Sequence, residues 1–264
     1  MDATKIKIGT KEYTPVAVDL GNSRIKFLLR NRYESIKYDD SWLMAVTDFL
    51  APFSNSQLLL AYSSVNQYRL AEFLKLKAIN SNIKFIDIAP IMDLQTEMKF
   101  DRIKGIGIDR KLGMYGAGLY FAPPLITIDC GTAVTINVLN GEAECSGGVI
   151  FAGIDTQMRA LSSHTSNLDE TEMFCLHSPI GQNTEDALRS GIIYSVTGGI
   201  KEIVDRINRF EFEGHKPPII LTGGSSQLLM PAFKDWNIKF WRKKHLILRA
   251  IISLLERHSD KIEL

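Results

Sequence analysis

The stretch Asp19-Leu20-Gly21-Asn22-Ser23, running on through Arg24 and Ile25 to Lys26, decides the fold because it occurs twice. A second copy, Asp129-Cys130-Gly131-Thr132-Ala133, begins 110 residues later. Each follows a β-branched, apolar run: Pro15-Val16-Ala17-Val18 in the first case, Leu125-Ile126-Thr127-Ile128 in the second. An acid, a glycine and a small hydroxyl or amide at a strand tip suit phosphate. Gly21 lets backbone N–H groups approach an anion closely, and Asn22 and Ser23 add side-chain donors. Asp19 would repel a phosphate, so it is expected to hold hydrated Mg²⁺, which takes one or two carboxylates plus waters and phosphate oxygens. Lys26, beyond the turn, is placed to neutralise charge on a transferring group. Gly131 and Thr132 repeat the arrangement. Two such turns, one per half, imply a nucleotide held between two related domains.

Working outward, Val16 to Asp19 and Ile25 to Leu29 read as strands joined by the Gly21-Asn22 turn. Ser41 to Leu50 reads as a helix, Leu58 to Tyr62 as a buried strand, Val65 to Ile79 as a helix and Ile83 to Ile88 as a strand. Alternation of strand and helix implies a mainly parallel sheet covered by helices. Ile108 to Leu119 has the spacing of a helix and starts just after Gly105-Ile106-Gly107. The pattern then restarts with a hairpin, Leu125 to Asp129 and Val134 to Leu139, followed by Gly147-Gly148-Val149-Ile150. Asp186 to Phe210 is amphipathic, with a break expected at Gly198-Gly199. Pro218 to Leu221 reads as a strand ending in Thr222-Gly223-Gly224, whose glycines let a flat base or ribose lie against backbone. Leu246 to His258 reads as a terminal helix. The Gly113–Gly118 stretch is no dinucleotide fingerprint; its glycines fit close helix packing. Pro123-Pro124 marks the expected junction, giving domains 1–120 and 121–264.

The chain has 264 residues, 45% of them hydrophobic, enough for a substantial core, and its net charge is +1. That balance creates no global field favouring nucleic acid or membrane. Lys239 to Arg249 is basic with Phe240 and Trp241 interleaved, and reads as a solvated helix face. Three cysteines, Cys130, Cys145 and Cys175, form no CxxC pair and leave an odd thiol, which fits a reducing cytoplasm. No stretch approaches the ~20 apolar residues of a membrane span. The expectation is a soluble, cytoplasmic protein. The five histidines show no ligand spacing, and neither a Walker A loop nor a GxSxG elbow is present.

The order of the two phosphate turns and the Thr222-Gly223-Gly224 segment resembles the actin-like and sugar-kinase ATPase superfamily. Within it, Gly107-Ile108-Asp109-Arg110 sharpens the likeness: DxGN(T/S)xxK, GxDR, DxGTA, GGxI and TGG in this order resemble the type III pantothenate kinases. Ser63-Ser64-Val65 and Ile180-Gly181-Gln182-Asn183-Thr184 resemble two further segments of that family. The resemblance implies an α/β fold of two duplicated ribonuclease-H-like domains with a nucleotide cleft between them. It also implies ATP-dependent phosphorylation of pantothenate, the first step of coenzyme A synthesis. Asp109 would be the catalytic base and Arg110 would bind the substrate carboxylate or carbonyls. Phe100, Gly107, Ile108 and Thr184 would join them in binding substrate, with Thr184 reaching a neighbour's pantothenate in a homodimer whose pockets are shared across the interface. Asp19, Gly21, Asn22, Ser23, Lys26, Gly131, Thr132, Gly223 and Gly224 would bind ATP. Asp19 would hold Mg²⁺, and Asp129 a monovalent cation, K⁺ or NH₄⁺.

Several positions depart from the family pattern. Ala152 replaces the proline of GGxIxPG, Phe100 and Ile103 occupy the spacings of a tyrosine and a proline, and Gly113 stands where asparagine is common. Two other readings therefore stand beside the kinase: a non-catalytic ATP-binding accessory protein of the same fold, and a kinase of another small alcohol.

Overall fold

The computed structural model describes residues 5–78, 81–165, 168–174, 179–233, 236 and 238–264. Cys175, the histidine at 177 and the Ile79 end of the second expected helix lie outside the described residues. The chain divides into two compact units. The first holds Met1–Phe100, Lys104–Leu119 and His245–Leu264; the second holds Asp101–Ile103 and Tyr120–Lys244.

In the first unit come β1 (Ile6–Ile8), β2 (Lys11–Leu20), β3 (Arg24–Leu29), β4 (Arg32–Lys37), α1 (Trp42–Leu50), β5 (Leu58–Ser64), α2 (Gln67–Leu74), β6 (Ile83–Asp87), α3 (Ala89–Met92) and α4 (Ile108–Gly118). The sheet order is β4-β3-β2-β5-β6, with β1 also paired to β2. The β2–β3–β4 neighbours run antiparallel and the β2–β5–β6 neighbours parallel. Strand β2 is buried from Tyr13 to Leu20, as a strand covered on both faces must be. Pro15 is tolerated in this central strand because it sits where β2 passes from pairing with β1 to pairing with β3. Helices α1 and α2 cover one face. There Phe27 packs tilted against Phe49 and Phe73, with ring centroids 5.1 and 6.3 Å apart.

The second unit repeats the plan with β7 (Leu125–Cys130), β8 (Ala133–Leu139), β9 (Cys145–Ala152), α5 (Ile154–His164), α6 (Thr184–Phe210), β10 (Ile219–Thr222), α7 (Ser226–Leu229) and β11 (Phe240–Arg242). Its order is β11-β10-β7-β8-β9. Again three antiparallel strands open the sheet, and a parallel pair extends it from the other side of the first strand. The two units thus share one topology: third, second, first, fourth, fifth. No described helix is long and apolar enough to cross a membrane.

Three expectations change. The expected break at Gly198-Gly199 is absent: α6 runs unbroken for 27 residues. A helical glycine costs about 1 kcal/mol against alanine, which the buried row Ile192, Ile193, Val196, Ile200 and Val204 outweighs. The helix expected over 65–79 is α-helical only from Gln67 to Leu74, after Asn66 caps it by accepting from Arg69 N–H, and tightens to a 3₁₀ turn beyond. Finally α8 (Leu246–His258), expected in the second half, belongs to the first unit. Its buried face of Leu246, Leu248, Ala250, Ile251, Leu254 and Leu255 packs on α4, β2 and β5.

Gly116 of α4 makes the packing on α8 possible. A Cβ on Gly116 would press into the carbonyl of Leu246, and one on Gly118 into the methyl of Met98, whereas Gly113 faces open space. Gly116→Val should therefore lose about 1–3 kcal/mol by overpacking. Gly113→Ala should gain about 0.5–1 kcal/mol from helix propensity. Chemical denaturation of both variants checks the opposite signs.

Candidate active site

Two neighbouring strands deliver the partners of Asp19. Its opposite residue on β3 is Lys26 and on β5 is Ser63. Because side chains directly opposite share one face, all three groups meet. Lys26 Nζ donates to Asp19 Oδ2 at 3.1 Å, and Ser63 Oγ donates to Oδ1 at 3.2 Å. The carboxylate is only 4% exposed, and a buried charge needs such partners. Beyond it the chain turns through Gly21, Asn22 and Ser23, closed by Gly21 N–H to the carbonyl of Arg24 at 3.1 Å. Asn22 is exposed at the tip.

Asp109 lies in the first turn of α4, where the helix dipole favours a negative charge. Gly107 is the N-cap, and its lack of a side chain leaves room for the Asp109 carboxyl: a Cβ there would meet Oδ1 at 2.5 Å and oblige that side chain to shift. That oxygen accepts from Arg110 N–H at 2.9 Å. Burial lifts the Asp109 carboxyl above its ordinary value, the Arg110 N–H opposes the rise, and the negative charge of Asp19 adds to it. The two carboxylates therefore feel one another. Phe100 is buried, with Lys111 Nζ 5.8 Å from its ring centroid, and Lys111 also pairs with Asp93 at 3.2 Å.

In the second unit Asp129 holds the place on β7 that Asp19 holds on β2. Its opposite residues are Thr135 on β8 and Thr222 on β10, so the lysine of the first unit has a threonine counterpart. The turn is one residue shorter, closed by Gly131 N–H to the carbonyl of Ala133 at 3.1 Å. The carbonyl of Thr132 accepts from Gly153 N–H at 2.9 Å and from Thr156 Oγ1 at 2.6 Å, which ties this turn to the start of α5. Gly223 has φ +92°, and a Cβ on it would collide with Asp129 Oδ1 and the backbone of Cys130. Glycine is therefore demanded twice over, by conformation and by space. Thr184 opens α6 after the N-cap Asn183 and lines a cavity of about 500 Å³ with Gln157, Leu161, Leu188 and Ile192.

The structure thus gathers Asp19, Lys26 and Asp109 in the first unit, and Asp129, Gly131 and Gly223 in the second. Three residues of the site escaped the sequence reading. Ser63 carried a signal, the Ser63-Ser64-Val65 segment, but not its role beside Asp19. Tyr38 follows β4, and its N–H donates to the carbonyl of Ser23 at 3.4 Å. Its hydroxyl is buried without a partner among the described residues, and burial together with the charge of Asp19 raises its pKa. Arg69 stands 4.8 Å over the Tyr38 ring. Tyr38 has no local signal, because β4 is too polar to announce itself, and Arg69 reads as an ordinary polar position of α2.

Among the described residues no group of three or more His, Cys, Asp or Glu forms a metal cage. Asp19 nonetheless fits Mg²⁺, a hard cation that uses few carboxylates and fills its shell with water and phosphate oxygens. Its oxygens sit at a strand end beside a turn whose backbone and hydroxyl groups suit phosphate.

A duplicated five-stranded unit with an aspartate at the end of each first strand defines the actin-like and sugar-kinase ATPase fold. Solved structures agree. A candidate Baf family transcriptional activator from Campylobacter jejuni is 22% identical, with a TM-score of 0.56 over 92% of this chain and 98% of that one. A candidate 2-dehydro-3-deoxygalactonokinase from Sinorhizobium meliloti is 14% identical, with a TM-score of 0.56 over 94% and 98%. Residues 16–206 match the type III pantothenate kinase family, and the chain belongs to that family. The type III pantothenate kinase of Synechococcus elongatus is 33% identical over 154 residues, 57% of this chain and 60% of that one. That of Persephonella marina is 31% identical over 182 residues, 67% and 69%. The match therefore spans about three fifths of the length of the Synechococcus relative.

The raised Asp109 pKa gives a signed expectation. The folded chain keeps this proton to higher pH than the unfolded chain. Its contribution to stability is complete below the ordinary carboxylate value, about 3.9, and is lost as pH rises through the raised value. Thermal melts of wild type and Asp109→Asn should diverge in favour of the variant as pH climbs from about 4 to 7. A difference that stays constant with pH would show that the carboxyl is not shifted.

Proposed function

We propose that this protein phosphorylates the primary hydroxyl of pantothenate with ATP, giving 4′-phosphopantothenate, in the cytoplasm. The observation that carries the reading is the half-buried Asp109 carboxyl, placed in the first turn of a helix within electrostatic reach of Asp19, which itself pairs with Lys26. In this reading Asp109 accepts the hydroxyl proton as the oxygen attacks the γ-phosphorus in line with the departing ADP oxygen. A base is most useful when its pKa lies near the working pH, and burial moves Asp109 upward in that direction. Lys26 neutralises charge developing on the transferred group, the larger share of catalysis in phosphoryl transfer. Mg²⁺, bound when ATP is bound, supplies further charge neutralisation at the phosphates, with Asp19 as its protein ligand.

The remaining assignments belong to the same proposal. Gly21, Asn22, Ser23, Gly131, Thr132, Gly223 and Gly224 bind ATP. Arg110 reads the substrate's carboxylate or carbonyls with its forked guanidinium. Phe100, Gly107 and Ile108 line the substrate, and Thr184 serves the partner's site in a homodimer. Asp129 holds K⁺ or NH₄⁺; its carboxylate oxygen, packed against the Gly223 backbone, is a donor of the kind these cations take.

Incubation with ATP, Mg²⁺, K⁺ and pantothenate, read by mass spectrometry, should give phosphopantothenate. Product from other small alcohols but not pantothenate would replace the substrate. ATP binding with no product under any cation would favour an accessory protein instead. Asp109→Asn should lower kcat about 10²–10⁴-fold while leaving ADP affinity, measured by calorimetry, close to that of the wild type. Full turnover by that variant would remove Asp109 as the base.

A further inference from the structure

Arg242 ends β11, the outermost strand on the parallel side of the second sheet. Its Nε donates to Ser226 Oγ at 3.1 Å and its Nη2 to Gln227 Oε1 at 3.2 Å. Ser226 Oγ in turn donates to the carbonyl of Gly223 at 2.7 Å. The direction of this relay is forced. A guanidinium only donates, so the serine oxygen accepts from Arg242 and its one proton is left for Gly223. Ser226 is 1% exposed, so its hydroxyl has little recourse to water. The Ser226 N–H also donates to the same carbonyl, at 3.3 Å, and Ser225 N–H donates to the carbonyl of Cys130 at 3.0 Å.

The Gly223 carbonyl and the Gly224 N–H belong to one peptide unit. That unit is trans and planar, so its N–H points opposite to its C=O. Drawing the carbonyl inward to Ser226 therefore turns the Gly224 N–H outward, at an exposed residue. Neither glycine has a side chain to hold this plane, and Gly223 already lies at φ +92°.

We propose that Arg242 is a positioning residue for the nucleotide: through Ser226 it fixes the Gly223–Gly224 peptide so that the Gly224 N–H is presented to the phosphate or ribose oxygens. The proposal rests on the ATP-binding reading above. Calorimetry with ADP and initial rates against ATP test it. Arg242→Ala should raise the ADP Kd and the KM for ATP roughly tenfold, the scale of one charge-assisted hydrogen bond, with a far smaller fall in kcat. Ser226→Ala should do the same. The double variant should be no worse than either single one, because both cut one relay. Arg242→Lys should recover part of the loss, having one donor for Ser226 but no fork for Gln227. If Arg242→Ala does not fold, Ser226→Ala and Arg242→Lys decide. Unchanged nucleotide affinity in folded variants, or additive losses in the double variant, would overturn the role of Arg242 while leaving ATP binding intact. A wild-type protein that binds neither ATP nor ADP would overturn both.

Discussion

The chemistry of this protein depends on one constraint: a carboxylate is buried at the end of a strand covered on both faces, and neighbouring strands must satisfy it. In the first unit the register does this directly. Asp19 on β2 faces Lys26 on β3 and Ser63 on β5, and both reach its oxygens. In the proposed reaction one of these partners, Lys26, also neutralises charge on the transferred group. A slip of one residue in either pairing would send Lys26 or Ser63 to the opposite face and cost the carboxylate one of these two partners. The antiparallel β2–β3 turn and the parallel β2–β5 crossover are therefore tied to the same point.

The duplication is close in topology and unequal in chemistry. Asp129 sits at the corresponding place, yet its register partners are Thr135 and Thr222, neither of them charged. The first unit combines a lysine with the half-buried Asp109 on α4. The second offers a glycine-rich bend at Gly223 folded over the aspartate, and a turn whose Thr132 carbonyl is held by the start of α5. This division fits a reading in which proton transfer and charge neutralisation belong to the first unit, and backbone recognition of nucleotide to the second.

Much of this was legible in order along the chain. The two aspartate-glycine turns, the strands leading into them and the Gly107–Arg110 helix start are local signals, set by β-branched runs and by the glycines that follow or precede them. The small residues of α4 were legible as packing residues, as Gly116 and Gly118 bear out. What escaped was polar or short. Strand β4, with Arg32, Glu34, Ser35 and Lys37, has no apolar run, so Tyr38 and its buried hydroxyl were invisible. The three-residue β11 read as part of a basic helix face. Gly198-Gly199 read as a break because glycine is costly in isolation, while the apolar row on either side keeps α6 continuous.

By itself, then, the sequence determined which stretches form the main strands and helices, though not their exact ends, because backbone conformation and hydrophobic period are local properties. It also carried the family likeness, through five short motifs in order. Only the tertiary structure decided which partners meet: that Lys26 and Ser63 converge on one carboxylate, that the half-buried Asp109 lies near enough to Asp19 to feel its charge, that α8 closes the first unit, and that Arg242 holds Gly223 through Ser226. These depend on sheet register and on burial among residues far apart in the chain, and local sequence does not encode how solvent is excluded by distant segments.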